Sequence, residues 1–139
     1  MSENRMVLRL SCVPSNVGVA RIAVATFAAS LDFTVPDLEE LKVAVSEAVS
    51  NSVLHAYPGG AGDVTVTAYQ DGDALVVEVE DQGAGIPDLE KAREPGYTTA
   101  LDHMGLGLSF MESFTDDLSI SSSPGAGTKV RMLKRRCAP

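Results

Sequence analysis

Two runs of alternating side chains joined by a tight turn constrain the fold of this chain more than any other feature. Residues 63 to 70 set Val64, Val66 and Ala68 among threonines, Asp71-Gly72 interrupts them, and residues 74 to 81 resume the alternation with Leu75, Val77 and Val79. A period of two puts the apolar members on one side of a pleated strand. Asp-Gly supplies the positive-φ residues that a two-residue hairpin turn needs. The segment therefore reads as an antiparallel hairpin with one face to bury. Asp81 falls in the same period as Leu75, Val77 and Val79, which puts a carboxylate at the end of the apolar side. A carboxylate there must find a donor or lose its hydration uncompensated. A ligand amino group would serve.

The flanking segments supply partners for that hairpin. Residues 6 to 12 alternate Leu8, Leu10 and Cys12 against Arg9 and Ser11, as a half-buried strand would. After Pro14, Ser15 can cap a helix running to about Leu31, in which Arg21 is the only charge between Ser15 and Leu31. A lone arginine on such a helix is either a snorkelling surface side chain or a contact for something else. Thr34-Val35-Pro36-Asp37 has capping-box spacing with proline in the first turn, so a second helix starts there. Leu38, Leu41, Val45 and Val49 give it a core stripe that continues to about His55, before Pro58-Gly59-Gly60 ends it. Residues 118 to 123 and 128 to 134 form another strand pair around Pro124-Gly125-Ala126-Gly127, and Leu108 to Phe114 reads as a short helix. The predicted fold class is α+β, a two-layer sandwich of a mainly antiparallel sheet with helices on one face.

A chain of 139 residues, 45% of them hydrophobic and 22% charged, suits one domain over residues 1 to 139 with a core of its own. Cys12 and Cys137 are too few for a disulfide framework and read as ordinary reduced thiols. Nineteen acidic against eleven basic residues give a formal charge of -8, the wrong sign for a protein whose partner is a phosphate backbone. No direct nucleic-acid partner is expected, and the Lys134, Arg135, Arg136 cluster reads as a solvated tail. Apolar runs such as Ile22 to Ala25 and Leu75 to Val77 fall far short of the roughly 20 residues a bilayer crossing needs. With no signal-peptide pattern at the start, the expected location is cytoplasmic, away from the membrane.

The candidate chemistry begins in the second helix, where Glu47, Asn51 and His55 recur at i, i+4 and i+8 beside the core stripe. Side chains four apart share a helix face. A carboxylate and an amide oxygen so placed can hold a base and a metal ion at adjacent points, although an exposed polar face gives the same spacing. Gln82-Gly83-Ala84-Gly85-Ile86 follows Asp81, with glycines that let backbone approach a ligand. Met104-Gly105-Leu106-Gly107-Leu108 leads into a helix whose free N–H groups favour an anion. Pro87 to His103, between them, looks like a lid, and Gly125-Ala126-Gly127-Thr128 opens the last strand. Each element alone is weak, but their ordered combination in one small α+β chain points to a nucleotide site.

Taken together, Glu47-x-x-x-Asn51, Asp81-x-Gly83-x-Gly85-Ile86, Gly105-Leu106-Gly107 and Gly127-Thr128 match the N box and the three glycine boxes of the GHKL ATPases, the superfamily of gyrase and the histidine kinases. Within it the chain resembles the anti-sigma factor serine kinases, most closely those of the anti-sigma-F type in the sporulation switch. The resemblance extends from about Met6 to Lys134. It includes the segments Val45 to Asn51, Asp88 to Pro95 and Met111 to Asp117. It implies an ATP-binding fold that uses ATP or ADP with Mg, inhibits a sigma factor, and phosphorylates an anti-anti-sigma protein on serine. In that scheme Glu47 is the general base and Asn51 coordinates Mg on the ATP phosphates. Asp81 accepts from the adenine amine, and Gly83, Gly85 and Ile86 wall the base and ribose. Gly105, Leu106, Gly107 and Leu108 cradle phosphates, and Thr128 reaches adenine through water. Thr98 and Thr99, at the edge of the lid, count among the ATP-binding positions. Arg21 lines up with an arginine that contacts both protein partners, and a homodimer follows by family analogy. His55 receives no role.

The stretch after Thr98-Thr99 reads Ala-Leu-Asp-His-Met, shorter than the family pattern and without its basic residue, so nucleotide trapping and transfer rate are expected to differ. Two other readings compete with a sporulation-type kinase. One is a stress-response-type anti-sigma kinase. The other is a nucleotide-gated sigma-binding module without phosphotransfer, against which Glu47 argues, because such a module needs no base. The catalytic half of a histidine kinase is disfavoured, since no upstream helical segment carries a phospho-acceptor histidine and His55 and His103 lie inside the domain.

Overall fold

The computed structural model describes residues 4–85 and 102–136, the stretch 102–107 as backbone. Among these residues the elements run β1 (Arg5–Ser11), α1 (Ser15–Ala29), α2 (Val35–His55), β2 (Asp63–Asp71), β3 (Ala74–Asp81), α3 (Asp102–Phe114), β4 (Asp117–Ser122) and β5 (Thr128–Arg135). The strands form one sheet in the order β1-β2-β3-β5-β4, with every neighbouring pair antiparallel. This is the two-layer α+β arrangement that the side-chain periodicities predict.

Strand register explains where the core and the site sit. Directly paired residues point to the same face of a sheet, so the inner face can be read rung by rung. Leu8, Val66, Val79, Val130 and Ile120 make one rung, and Met6, Ala68, Val77, Met132 and Leu118 the next. These pack with Ala20, Val24 and Ala28 of α1, with Leu41, Ala44, Val45, Ala48 and Val49 of α2, and with Leu108 and Met111 of α3 in one buried cluster. Ala20 and Ala28 of α1 and Ala44 and Ala48 of α2 are all buried in it.

The rungs at either end of this apolar ladder turn polar. At one end Val64, Asp81, Thr128 and Ser122 stand in register. At the other, Leu75 pairs with Lys134, which is 6% exposed. Lys134 Nζ donates to Glu40 Oε1 at 3.0 Å and to the Phe114 carbonyl at 2.9 Å, tying β5 to α2 and to the end of α3. A cluster residue in the sequence reading, Lys134 is thus buried and paired rather than part of a solvated tail, whereas Arg135 and Arg136 are exposed.

The helix boundaries divide into those with local signals and those without. Thr34 occupies the cap of α2 with extended backbone (φ -74, ψ 162), and its side chain accepts from the Asp37 N–H at 3.3 Å, as the capping-box spacing predicts. Ser15 does not cap α1. Pro14 stands at the cap position with helical backbone (φ -55, ψ -37), which leaves no extended residue to turn a hydroxyl back onto the first turn. Asn16 instead anchors the entry, its side-chain amide donating to the Ser11 carbonyl at 2.8 Å. The helix ends at Ala29, short of Leu31. Helix α3 starts at Asp102 rather than near Leu108. Glycine in a helix interior costs about 1 kcal/mol, and burying Leu108 and Met111, 1% and 0% exposed, outweighs it.

Replacing Thr34 by alanine removes the cap oxygen from the longest helix. We expect a loss of about 1 kcal/mol of stability, measured as a lower denaturant midpoint at unchanged slope. An unchanged midpoint would show that the 3.3 Å contact contributes nothing.

Candidate nucleotide site

A pocket opens where the polar end of the sheet meets α2 and α3. Its walls are Ala48, Asn51, Ser52, His55 and Ala56 from α2, Asp81 from β3, Gly85 beyond it, Leu108 from α3, Ile120 from β4, and Thr128 and Val130 from β5. Ala48, Ser52 and Ala56 recur at four-residue spacing, so the α2 face toward the sheet is lined by small side chains that leave space. Leu108, Ile120 and Val130 make an apolar floor, and Asn51, Ser52, Asp81 and Thr128 supply polar atoms. An apolar slot with a few convergent polar groups is what a planar base requires.

Asp81 is 4% exposed, and both carboxylate oxygens are held from within the chain. Ser52 Oγ donates to Oδ2 at 2.7 Å and the Gly83 N–H donates to Oδ1 at 2.9 Å. The donor that burial demands is therefore not left to a ligand, as the sequence alone suggested. Each oxygen keeps a further lone-pair site, so the group can still accept from one. On β5 beside it, Thr128 Oγ1 lies 2.9 Å from Ser122 Oγ, which donates to the Gly127 carbonyl at 3.0 Å.

The glycines after Asp81 are required by close backbone packing. A Cβ on Gly83 would overlap the Ala56 carbonyl at the end of α2. Gly85, with φ 77, would drive one into the Ser123 carbonyl. The Ala84 N–H donates to Ala56 O at 2.6 Å, the Gly125 N–H to Ala84 O at 2.7 Å, and the Gly127 N–H to Gly83 O at 3.0 Å. Residues 82–85 are thus clamped between the end of α2 and the turn before β5.

Asn51 is 8% exposed and its Oδ1 is buried without a hydrogen-bond partner. An unsatisfied buried acceptor costs about 1–3 kcal/mol and calls for an explanation such as an ion or ligand. Glu47, one turn earlier, does not line this pocket. It opens onto a neighbouring groove with Arg21, Glu39, Lys42, Val43 and Ser46. Glu47 and Arg21, from α2 and α1, are thereby brought to one surface, with Asn51 and His55 on the pocket side. Arg21 lies along α1, and a Cβ on Gly18 would sit 3.4 Å from its Nη2.

The remaining sequence candidates distribute unevenly. Gly105, Leu106 and Gly107 lie inside α3 rather than in a loop before it, so the helix's free N–H groups begin at Asp102 and reach only to Gly105. Leu108 is 1% exposed and belongs to the apolar floor. Ile86, Thr98 and Thr99 lie outside the described residues, as does Cys137. Cys12 is partly buried beneath this end of the sheet. Burial first, then the Asp81 and Asp63 charges, push its thiol above the ordinary value, which disfavours the thiolate.

Sequence reasoning missed Ser52 and Tyr57. Ser52 meets Asp81 across 29 residues of chain, and nothing local pairs a helix hydroxyl with a strand carboxylate. Tyr57 Oη donates to the Asp63 carbonyl at 2.7 Å and accepts from the Gln82 N–H at 2.9 Å. Its position directly before the Pro58-Gly59-Gly60 break was the available signal.

Comparison with known proteins gives this geometry a lineage. Residues 10–134 match the histidine kinase-like ATPase domain. The anti-sigma F factor of Clostridium acetobutylicum is 42% identical over 137 residues, covering 97% of this chain and 96% of that one. The anti-sigma F factor of Bacillus subtilis is 42% identical over 135 residues, covering 95% and 92%. Among solved structures, the RsbU and RsbW domains of a Mycobacterium tuberculosis protein share the fold, with a TM-score of 0.74 at 20% identity over 98% of this chain and 33% of that one. A histidine kinase domain from Erythrobacter litoralis gives a TM-score of 0.57 at 25% identity, covering 72% of this chain and 45% of that one. The chain therefore belongs to the histidine kinase-like ATPase domain family, in the group that includes the anti-sigma F factors.

Proposed function

We propose that this chain is an anti-sigma factor that holds a sigma factor inactive and, as an ATP-dependent protein serine kinase, phosphorylates an anti-anti-sigma partner. The observation that carries this reading is Asn51 Oδ1, buried without a partner in the pocket that contains Asp81. The names of its relatives favour the sporulation-type switch over the stress-response type.

An amide oxygen in that position suits Mg, a hard cation that binds through one or two protein oxygens together with substrate phosphates. When bound, the ion offsets negative charge on the phosphates. Asp81 accepts from the exocyclic amine of adenine, Thr128 reaches the base through water, and Gly83, Gly85 and Ile86 flank base and ribose. The start of α3, with Thr98 and Thr99, serves the phosphates. Glu47 takes the proton of a seryl hydroxyl as that oxygen bonds to the γ-phosphorus and the bond to the departing ADP oxygen breaks. Its place in the groove beside Arg21 supports this role, because a protein substrate reaches it from outside the pocket. Among the described residues no helix is long and apolar enough to cross a membrane, and a cytoplasmic site of action belongs to the same proposal.

The test is transfer of labelled γ-phosphate from Mg-ATP to a candidate anti-anti-sigma protein, with Glu47→Gln beside the unaltered chain. We expect label on a partner serine, reduced at least about 100-fold by the substitution, with ATP binding retained. Normal ATP and partner binding without transfer would leave a nucleotide-gated sigma-binding module.

Adenine recognition is tested separately. Asp81→Asn should bind ATP about tenfold or more weakly, with an unchanged circular dichroism spectrum. Equal affinity would remove the carboxylate from that role.

The same reading includes a homodimer. β1 is an edge strand whose Val7 is 59% exposed, and Val19 and Ile22 of α1 are 46% and 54% exposed. Light scattering at micromolar concentration should give twice the chain mass, and a monomer mass would overturn the dimer.

A further inference from the structure

We infer that Tyr57 is a positioning residue for base recognition: its hydroxyl fixes the Asp81–Gln82 peptide and thereby the carboxylate that discriminates adenine. This rests on the proposal that Asp81 accepts from the adenine amine.

The reasoning starts where the sheet stops. Asp81 is the last residue of β3 and pairs with Val64 on one side and Thr128 on the other. Beyond it the ladder ends, and the Gln82 N–H has to find its partner outside the sheet. Tyr57 Oη provides that acceptor at 2.9 Å and spends its own proton on the Asp63 carbonyl at 2.7 Å. One phenol thus joins the first residue of β2 to the first residue after β3.

The orientation of the Gln82 N–H is set by the backbone rotation at Asp81 that also sets where residue 83 begins. The Gly83 N–H in turn holds Asp81 Oδ1 at 2.9 Å, an Asx-type contact from a side chain to the backbone two residues on. The hydroxyl of Tyr57, the Asp81–Gln82 peptide, the Gly83 N–H and the carboxylate therefore form one mechanical sequence. Ser52 fixes the other oxygen and leaves the carboxylate plane defined from two directions.

The surroundings are shaped around this ring. A Cβ on Gly62 would overlap the Tyr57 ring atoms, so the ring lies flat on a residue with no side chain. Immediately before Tyr57, the Ala56 carbonyl accepts the Ala84 N–H at 2.6 Å. The two residues that follow α2 consequently grip the loop at both Gln82 and Ala84. Small displacements of a recognition group matter because selectivity between bases depends on which hydrogen bonds the pocket satisfies.

The experiment is calorimetric binding of ADP and GDP to the unaltered chain, Tyr57→Phe and Asp81→Asn. Phenylalanine keeps the ring over Gly62 and removes the hydroxyl alone. We expect Tyr57→Phe to bind ADP about fivefold more weakly, and its preference for ADP over GDP to narrow by a similar factor, the scale of one lost hydrogen bond. A lower melting temperature with both affinity and preference unchanged would make Tyr57 merely structural and overturn the inference. Asp81→Asn separates the two levels. If it weakens ADP binding while Tyr57→Phe does not, the Tyr57 role alone falls. If neither substitution has an effect, the adenine role of Asp81 falls first. Should Tyr57→Phe fail to fold, Gly62→Ala displaces the ring with every hydroxyl retained. The same weakening and narrowing are expected of it, and unchanged binding would overturn the inference.

Discussion

The buried carboxylate of Asp81 is the constraint around which this end of the molecule is organised. A charge at 4% exposure on the inner face of an apolar sheet is tolerable only when its oxygens are held. The two donors come from different parts of the chain, a serine on α2 and a backbone N–H two residues further along. Each donor imposes its own requirement. Ser52 must face the sheet, which sets the rotation of α2 and turns Asn51 and His55 toward the same pocket. Gly83 must pass against the Ala56 carbonyl, which leaves no room for a side chain. Burial of the carboxylate and close backbone packing are in this way satisfied by the same segment, residues 81 to 83.

The opposite end of the ladder repeats the problem with the other sign. Lys134 lies on the same face of the sheet as Asp81, in register with Leu75, and it too is buried and paired. Its partners belong to α2 and to the end of α3, so it fastens the helix layer where Asp81 fastens the pocket. Apolar rungs between two satisfied polar ends fix strand register strongly, because a slip of one residue would bury outer-face charges such as Glu78 and expose the valines.

What the sequence disclosed follows the range of each interaction. The hairpin, whose turn residues are Gly72 and Asp73 rather than Asp71-Gly72 because Asp71 still pairs with Ala74, and the Thr34 cap are local, since the residues that decide them lie within a few positions of one another. The side of the sheet on which Asp81 falls was equally readable from a period of two. The start of α1 was misread because Ser15 carries the right side chain next to a proline with the wrong backbone. The start of α3 was misread because two glycines argue locally against a helix that Leu108 and Met111 stabilise through the core. The Ser52 to Asp81 bond left no local pattern, and Tyr57 only its place before the Pro58-Gly59-Gly60 break, because the Ser52 bond and the Tyr57 bond to Gln82 are contacts across 29 and 25 residues that form as the elements pack.

The line Glu47, Asn51, His55 shows how a correct spacing can serve two surfaces. Eight residues of helix extend about 12 Å, and the line begins outside the pocket, whose α2 wall starts at Ala48. Glu47 consequently shares a groove with Arg21 while Asn51 and His55 share the slot with Asp81. The two surfaces are also built differently. The slot depends on backbone held against backbone at Gly83, Gly85 and the turn before β5, where few substitutions fit. The groove consists of side chains from two helices, including Arg21, Glu39, Lys42 and Val43, whose identity the core does not dictate. Groove residues can therefore vary while the slot stays as it is, with α2 as the element common to both.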